Sequence, residues 1–200
     1  MNTSWETVIP PVLAKLPTFE HLKRWTTQEY FHIFTSEEAD APQVELLLGH
    51  IYRKAPKTPL PSSTSSLLGR NLSIKFREAF LVRQGSPIEM TNLSSVPEPD
   101  VVLCERKSYE HRYPSPTEVS LTVEVAETSI VIDETLKLPI YAAAGIPEYW
   151  MVNLKAKRLA IYWEPDVQRA SYQHQRIHQW GTPIHSPLLG EQEWDEFFGL

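Results

Sequence analysis

Val119-Ser120-Leu121-Thr122-Val123-Glu124-Val125-Ala126 alternates apolar and small or polar side chains without a break. A period of two marks a strand, because successive side chains leave opposite faces of a pleated backbone. Val119, Leu121, Val123 and Val125 take one face; Ser120, Thr122, Glu124 and Ala126 take the other. Upstream, Val96-Pro97-Glu98-Pro99 is a stiff approach to Asp100-Val101-Val102-Leu103-Cys104, which reads as a buried strand with Asp100 at its mouth. Downstream, Asp133 opens a helix that runs to Ala144 and stops at Gly145, a residue suited to the left-handed C-terminal cap. Pro139 fits inside that helix only if the regular part begins near Thr135 or the helix kinks, since proline lacks an N–H and crowds the preceding turn. Residues 149–153 and 158–163 read as two more strands joined by a turn at 154–157. A helix between the Glu124 strand and the Tyr149 strand predicts that the two are parallel neighbours.

Farther out the pattern loosens. Thr26-Thr27-Gln28-Glu29 is a helix start, and Tyr30, Phe31 and Phe34 form its apolar face. Residues 44–51 are short and apolar, broken by Gly49, and read as a strand or a strand and turn. The proline- and serine-rich stretch 54–66 predicts a polar loop, after which Leu67, Leu68, Leu72, Phe76 and Phe80 predict an amphipathic helix to about residue 80. Residues 105–117 are a charged and aromatic loop closed by Pro114 and Pro116. Tyr172, His174, Arg176 and His178 alternate like an edge strand. Residues 1–24, with Pro10, Pro11 and Pro17, read as an N-terminal arm ahead of one domain over 25–200. The class is α/β: a mixed central β-sheet flanked by α-helices.

Composition sets outer bounds. A chain of 200 residues with 42% hydrophobic side chains can bury a real core in one domain. Seventeen prolines against seven glycines favour stiff connections over long flexible linkers. Cys104 is the single cysteine, so a disulfide framework and a thiolate metal site are excluded. It ends an apolar strand with no activating base in sequence, and reads as a small buried residue rather than a nucleophile. No apolar run is long enough to cross a bilayer and no secretory pattern opens the chain, so no membrane partner and a cytoplasmic location are expected. A net charge of −6 argues against a protein that coats nucleic acid, but leaves room for local basic contacts to phosphate.

If the Asp100 and Glu124 strands pair, both carboxylates reach one point in space. Two hard oxygen ligands helped by a backbone carbonyl suit a magnesium ion that keeps several waters. Such an ion polarises a phosphoryl oxygen and lowers the pKa of a bound water. Lys137, about one turn into the following helix, is placed to add positive charge near a transition state. The plain alternative is that Asp after Pro is common in turns, and that Glu on the polar face of a strand faces solvent. Pattern by itself leaves both open.

The run Pro97-Glu98-Pro99-Asp100-Val101-Val102-Leu103, then Tyr113-Pro114-Ser115-Pro116, then Leu121-Thr122-Val123-Glu124-Val125-Ala126 resembles the Uma2 (DUF820) family of prokaryotic endonucleases. So do Asp133, Lys137 and Tyr141-Ala142-Ala143-Ala144-Gly145-Ile146-Pro147-Glu148-Tyr149-Trp150-Met151-Val152-Asn153. The likeness spans about 25–165 and is strongest over 97–153. It implies a restriction-endonuclease-like core of the PD-(D/E)XK superfamily, whose signature is Pro-Asp, then Asp or Glu, any residue, and Lys. By that resemblance Asp100, Glu124 and the carbonyl of Val125 hold Mg2+ (or Mn2+ in its place), Glu45 adds an acidic group, Lys137 assists, and DNA is the substrate. Nucleases of that superfamily often pair to cut two strands, which leaves a homodimer open.

Three positions depart from the family pattern. Ala126 stands at the signature lysine position, with the helix lysine Lys137 as its substitute. Ser62 to Ser66 occupy the region where the family often has a histidine, and His50 replaces a second acidic residue. These departures support an alternative reading, a nuclease-fold module that is catalytically weak or inactive and serves binding or assembly. A metal-free hydrolase using two carboxylates as in glycoside cleavage is a third class, without a sugar-binding feature to favour it.

Other groups have ordinary explanations beside chemical ones. His174 and His178 would face each other on a helix, but their neighbours alternate as in a strand. Arg53, Lys54 and Lys57, with Arg70, Lys75 and Arg77, would line a phosphate-facing groove or be plain solvated charge. Tyr141, Tyr149 and Trp150 have the spacing of core packing rather than base stacking.

Overall fold

The computed structural model describes residues 23–34, 43–54 and 56–198. The expected N-terminal arm lies, but for Lys23 and Arg24, outside the described residues. Six strands form the central sheet: β3 (Leu81–Gln84), β4 (Val101–Cys104), β5 (Val119–Ala126), β6 (Glu148–Asn153), β7 (Arg158–Asp166) and β8 (Ser171–Gln179), paired in that order. β5 and β6 run parallel and every other pair is antiparallel, so the sheet is mixed. The parallel pair is the one that a crossover helix dictates, and β8 is the edge that its alternation predicted. Among the described residues no helix is long and apolar enough to cross a membrane.

Both faces of the sheet are covered. Helix α2 (Pro59–Phe76) lays Leu68 and Leu72 on one face, over Val101, Leu121, Val123 and Trp150, beside the C-terminal helix α4 (Trp194–Phe198). Helix α3 (residues 130–143) covers the other face with Leu136, Ile140 and Tyr141 against Val102, Tyr149 and Met151. This second layer corrects the solvent-facing alternative for Glu124. Thr122, Glu124 and Ala126 form the polar face of an alternating strand, yet all three are buried. Alternation tells which side chains share a face; it is silent on what packs over that face. Val119 departs from the alternation as well. A bulge opposite Leu103 and Cys104 shifts the register there and sends Val119 to the α3 side, away from Leu121.

Two expectations fail locally, and two elements come without forewarning. Residues 59–66 are helical, not loop, and α2 ends at Phe76 rather than near residue 80. Pro59 and Pro61 lie in the first turn, where an N–H has no intrahelical acceptor to lose, and Ser63 and Ser65 satisfy their hydroxyls on the carbonyls of Leu60 and Ser62. Strand β3 has no forewarning in the pattern; it is a four-residue, half-exposed edge with little burial to shape it. The C-terminal hairpin of β9 (Ile184–Ser186) and β10 (Gly190–Gln192) is likewise unmarked. It is tied to the sheet by the buried carboxylate of Glu148, which accepts from Trp150 Nε1 at 2.5 Å, Ser186 Oγ at 2.6 Å and the Leu188 amide at 2.9 Å.

The elements that carry chemistry are set by local rules. Helix α1 (Thr27–Phe34) starts with a reciprocal cap: the Thr26 amide donates to Glu29 at 3.0 Å and the Glu29 amide to Thr26 Oγ1 at 3.2 Å. Strands β1 (Val44–Leu47) and β2 (His50–Arg53) make a hairpin through Leu48 and Gly49, both at positive φ (52° and 77°), the primed-turn geometry that suits strand twist. The hairpin leans on the approach to β4 through a bridge between Leu46 and Val96, and the Leu48 amide donates to Ser95 Oγ at 2.8 Å. Helix α3 resolves the difficulty of Pro139. It begins as Ile130–Ile132, widens into a π turn over Asp133–Lys137, and resumes as regular helix over Leu138–Ala143 with the proline in its first turn. It ends with paired bonds from Ile146 N to Tyr141 O and from Gly145 N to Ala142 O, with Gly145 at φ 76°.

Candidate active site

Asp100 stands at the end of the proline-stiffened approach, one residue before β4. It is buried, and its Oδ2 accepts the Val125 amide at 2.7 Å. That bond draws the carboxylate onto β5 just past the point where β4 begins. In an extended strand the N–H and C=O of one residue leave on the same side, so the Val125 carbonyl faces the Asp100 side too. Glu124, the preceding residue, projects toward α3, and its Oε1 accepts from Tyr141 Oη at 2.7 Å and Lys137 Nζ at 3.0 Å. Glu45 arrives from the hairpin; its Oε1 accepts from Lys137 Nζ at 2.9 Å and from the Glu98 amide at 2.6 Å. Lys137 is thereby held between two carboxylates, with Asp133 Oδ1 at 3.9 Å and Ser129 donating to the other Asp133 oxygen at 2.8 Å. Lys57, from the segment before α2, sets its ammonium on Asp100 Oδ1.

These groups line a cleft of about 240 Å³. Its floor is Glu45, Asp100, Glu124, Asp133 and Lys137, and its rim carries Arg53, Lys54 and Lys57 together with Glu98, which pairs with Lys54, and Glu127. Burial is the largest influence on Glu124, Asp133 and Lys137. It pushes the Glu124 carboxyl well above its ordinary range, partly opposed by Lys137 and reinforced by Asp133, Asp100 and Glu45. Asp133 is raised for the same first reason. Burial by itself would depress Lys137, but the charges of Glu124, Glu45 and Asp133 outweigh it and hold the ammonium protonated. Tyr141 is raised well above the usual phenol, first by burial and then by Glu124 and Glu45, so it is a donor only.

A family model described as "Putative restriction endonuclease" matches residues 27–195. The chain belongs to the Uma2 family. A crystal structure of "a putative nuclease belonging to DUF820" from Anabaena variabilis ATCC 29413 superposes with a TM-score of 0.64, covering 87% of this chain and 97% of that one. At 12% identity this likeness speaks for the fold, which is that of the nuclease. Comparison with curated proteins gave no match.

Within this Uma2 chain the structure brings Asp100, Glu124, Val125, Glu45 and Lys137 to one cleft. It separates other candidates. Arg70, Lys75 and Arg77 do not line the cleft; Lys75 pairs with Glu196 and Arg77 with Glu78. His174 and His178 lie on β8, where His174 meets Glu164 and stacks on Trp163 while His178 faces the Pro183 carbonyl. Cys104 is buried, as its strand predicted. Tyr141 is core, as its spacing predicted, and also a donor to Glu124, a role that periodicity does not reveal. In sequence Lys57 is one basic residue among many; only its contact with Asp100 distinguishes it.

A divalent cation would have to suit this donor set. Among the described residues no three Asp, Glu, His or Cys side chains converge at metal-holding distance; the lysine ammoniums sit at the carboxylates. The chemistry nonetheless fits. The ligating groups are all hard oxygens, and four carboxyl groups face two ammoniums on the floor. Burial raises Glu124 and Asp133, and a bound cation would favour their ionised forms.

Proposed function

We propose that this Uma2 protein is a metal-dependent endonuclease that hydrolyses phosphodiester bonds in DNA. The observation that carries the reading is the placement of Glu45, Asp100 and Glu124 in one cleft whose rim includes Arg53, Lys54 and Lys57. Asp100, Glu124 and the Val125 carbonyl would hold Mg2+ or Mn2+. When bound, the ion supplies a polarised phosphoryl oxygen and a more acidic water. The Val125 amide fixes the rotamer of Asp100, and Tyr141 and Lys137 fix that of Glu124 through a single oxygen, leaving Oε2 for a ligand. Glu45 holds Lys137 in place and, with the Glu98 amide, ties the hairpin to the approach. Arg53 and Lys54 on the rim would attract the flanking phosphates.

The test is conversion of supercoiled plasmid to nicked and linear forms with Mg2+ or Mn2+. Asp100→Ala and Glu124→Ala should each abolish cleavage that the wild type performs only with metal. A well-folded wild type that leaves several DNA substrates intact would replace this reading with the binding or assembly module that Ala126 favours.

A further inference from the structure

Lys54 pairs with Glu98 at the rim, and two further lysines touch the carboxylates of the cleft floor. The Lys137 side chain is 7% exposed, and its ammonium is enclosed by Glu45, Glu124 and Asp133. An ammonium has three hydrogens; two are committed to carboxylate oxygens within 3.0 Å, and Asp133 Oδ1 lies 3.9 Å away. Lys57 comes from the open side. Its side chain is 40% exposed, it precedes the first turn of α2, and it meets Asp100 at the oxygen not used by the Val125 amide.

We propose that Lys57 is the lysine that contacts the scissile phosphate, while Lys137 is a buried counter-charge that positions Glu45 and Glu124. The proposal rests on the nuclease reading and assigns within it the charge that Ala126 cannot supply. A partly solvated ion pair such as Lys57 with Asp100 is weak and easily exchanged. A divalent cation held by Asp100 would compete with the Lys57 ammonium for that carboxylate, and Lys57 would then need another anion. A phosphate oxygen drawn into the same cleft is the anion at hand, and Lys57 then meets the negative charge that grows on the phosphoryl group. Lys137 has no such freedom: turning it outward would strand two buried carboxylates.

The two roles predict opposite effects on metal binding. A residue that supports Asp100 weakens metal affinity when removed; a residue that competes for Asp100 does not. Lys57→Ala, Lys57→Arg, Asp100→Asn and wild type should be compared by Mn2+ calorimetry without DNA, and by single-turnover plasmid cleavage at saturating Mn2+. We expect Lys57→Ala to bind Mn2+ at least as tightly as wild type and to cleave on the order of a hundredfold more slowly, with part of the rate restored in Lys57→Arg. Asp100→Asn should lose both binding and cleavage. Cleavage by Lys57→Ala at the wild-type rate overturns the assignment, and so does slower cleavage accompanied by weaker Mn2+ binding. A wild type that neither binds Mn2+ nor cuts overturns the nuclease reading itself, a result separate from either of those.

Discussion

Tyr141 and Lys137 both donate to Oε1 of Glu124, and this pair of bonds sets where the carboxylate points. The phenol is one hydroxyl on an otherwise packed ring, tilted against Tyr149 with centroids 5.2 Å apart. Tyr141→Phe therefore removes a bond while keeping the shape. We expect it to lower folding stability by about 1–2 kcal/mol, measured by urea unfolding. Mn2+ affinity should fall roughly tenfold, the usual scale for losing a partner that orients a metal ligand. Unchanged affinity would reduce Tyr141 to packing. At this scale the residues around them placed Asp100 at the mouth of a strand and Glu124 within one, but left open whether the two form a site; only the family resemblance pointed there. Tyr141 and Lys57 were not legible as their partners. One lies on an apolar helix face and the other in a polar run, and nothing local says that each ends at a carboxylate.

Helix α3 shows how an element is shaped to serve a site. A π turn adds a residue to the circuit and so rotates the C-terminal half of the helix relative to the N-terminal half, by about 100° for one residue of a helix with 3.6 residues per turn. Here it coincides with Asp133 and Lys137, both turned into the cleft, and it precedes Pro139, which has no N–H to give to a regular ladder. Pro139→Ala restores that donor and a better helix former. The expected result is a melting temperature equal to or above that of wild type, together with weaker Mn2+ binding as the segment relaxes toward regular helix and Lys137 swings out of register. Thermal unfolding paired with Mn2+ titration checks both. Retained affinity would mean that the carboxylates alone keep Lys137 in place. The sequence marked Pro139 as a problem in the helix but not the form of its solution, since several backbone paths accommodate a proline and packing selects among them.

Across the whole molecule the loop 105–117 is held to the start of β5 by charge. Glu118 accepts two bonds from Arg112, at 2.5 and 2.6 Å, along with contact from Lys107 and the Ser115 amide at 2.7 Å. Arg112 foremost, then Lys107 and Ser115, hold its carboxyl far below the usual carboxylate range. A carboxyl depressed in the folded state contributes stability that is complete above the unfolded pKa of about 4.3 and is lost as pH falls through the folded value. Limited proteolysis across pH should find the wild-type loop protected at and below that pH, and released only in stronger acid. Glu118→Gln should be cut faster than wild type already at neutral pH; equal protection would show that apolar packing holds the loop unaided.

The amino-acid sequence by itself determined the period-two strand with Glu124, the Pro-stiffened entry of Asp100, the parallel pairing across α3, and the likeness to the Uma2 family. Each is a matter of local backbone preference or of short spacing along the chain. Only the tertiary structure decided that Glu45 meets Lys137 across 92 positions, that Lys57 meets Asp100 across 43, and that the polar face of β5 lies beneath a helix. Those contacts join segments whose local propensities are independent of one another. They arise when two covering layers are packed on one sheet, and burial then turns the carboxylates toward ammoniums, a phenol and backbone amides in place of water.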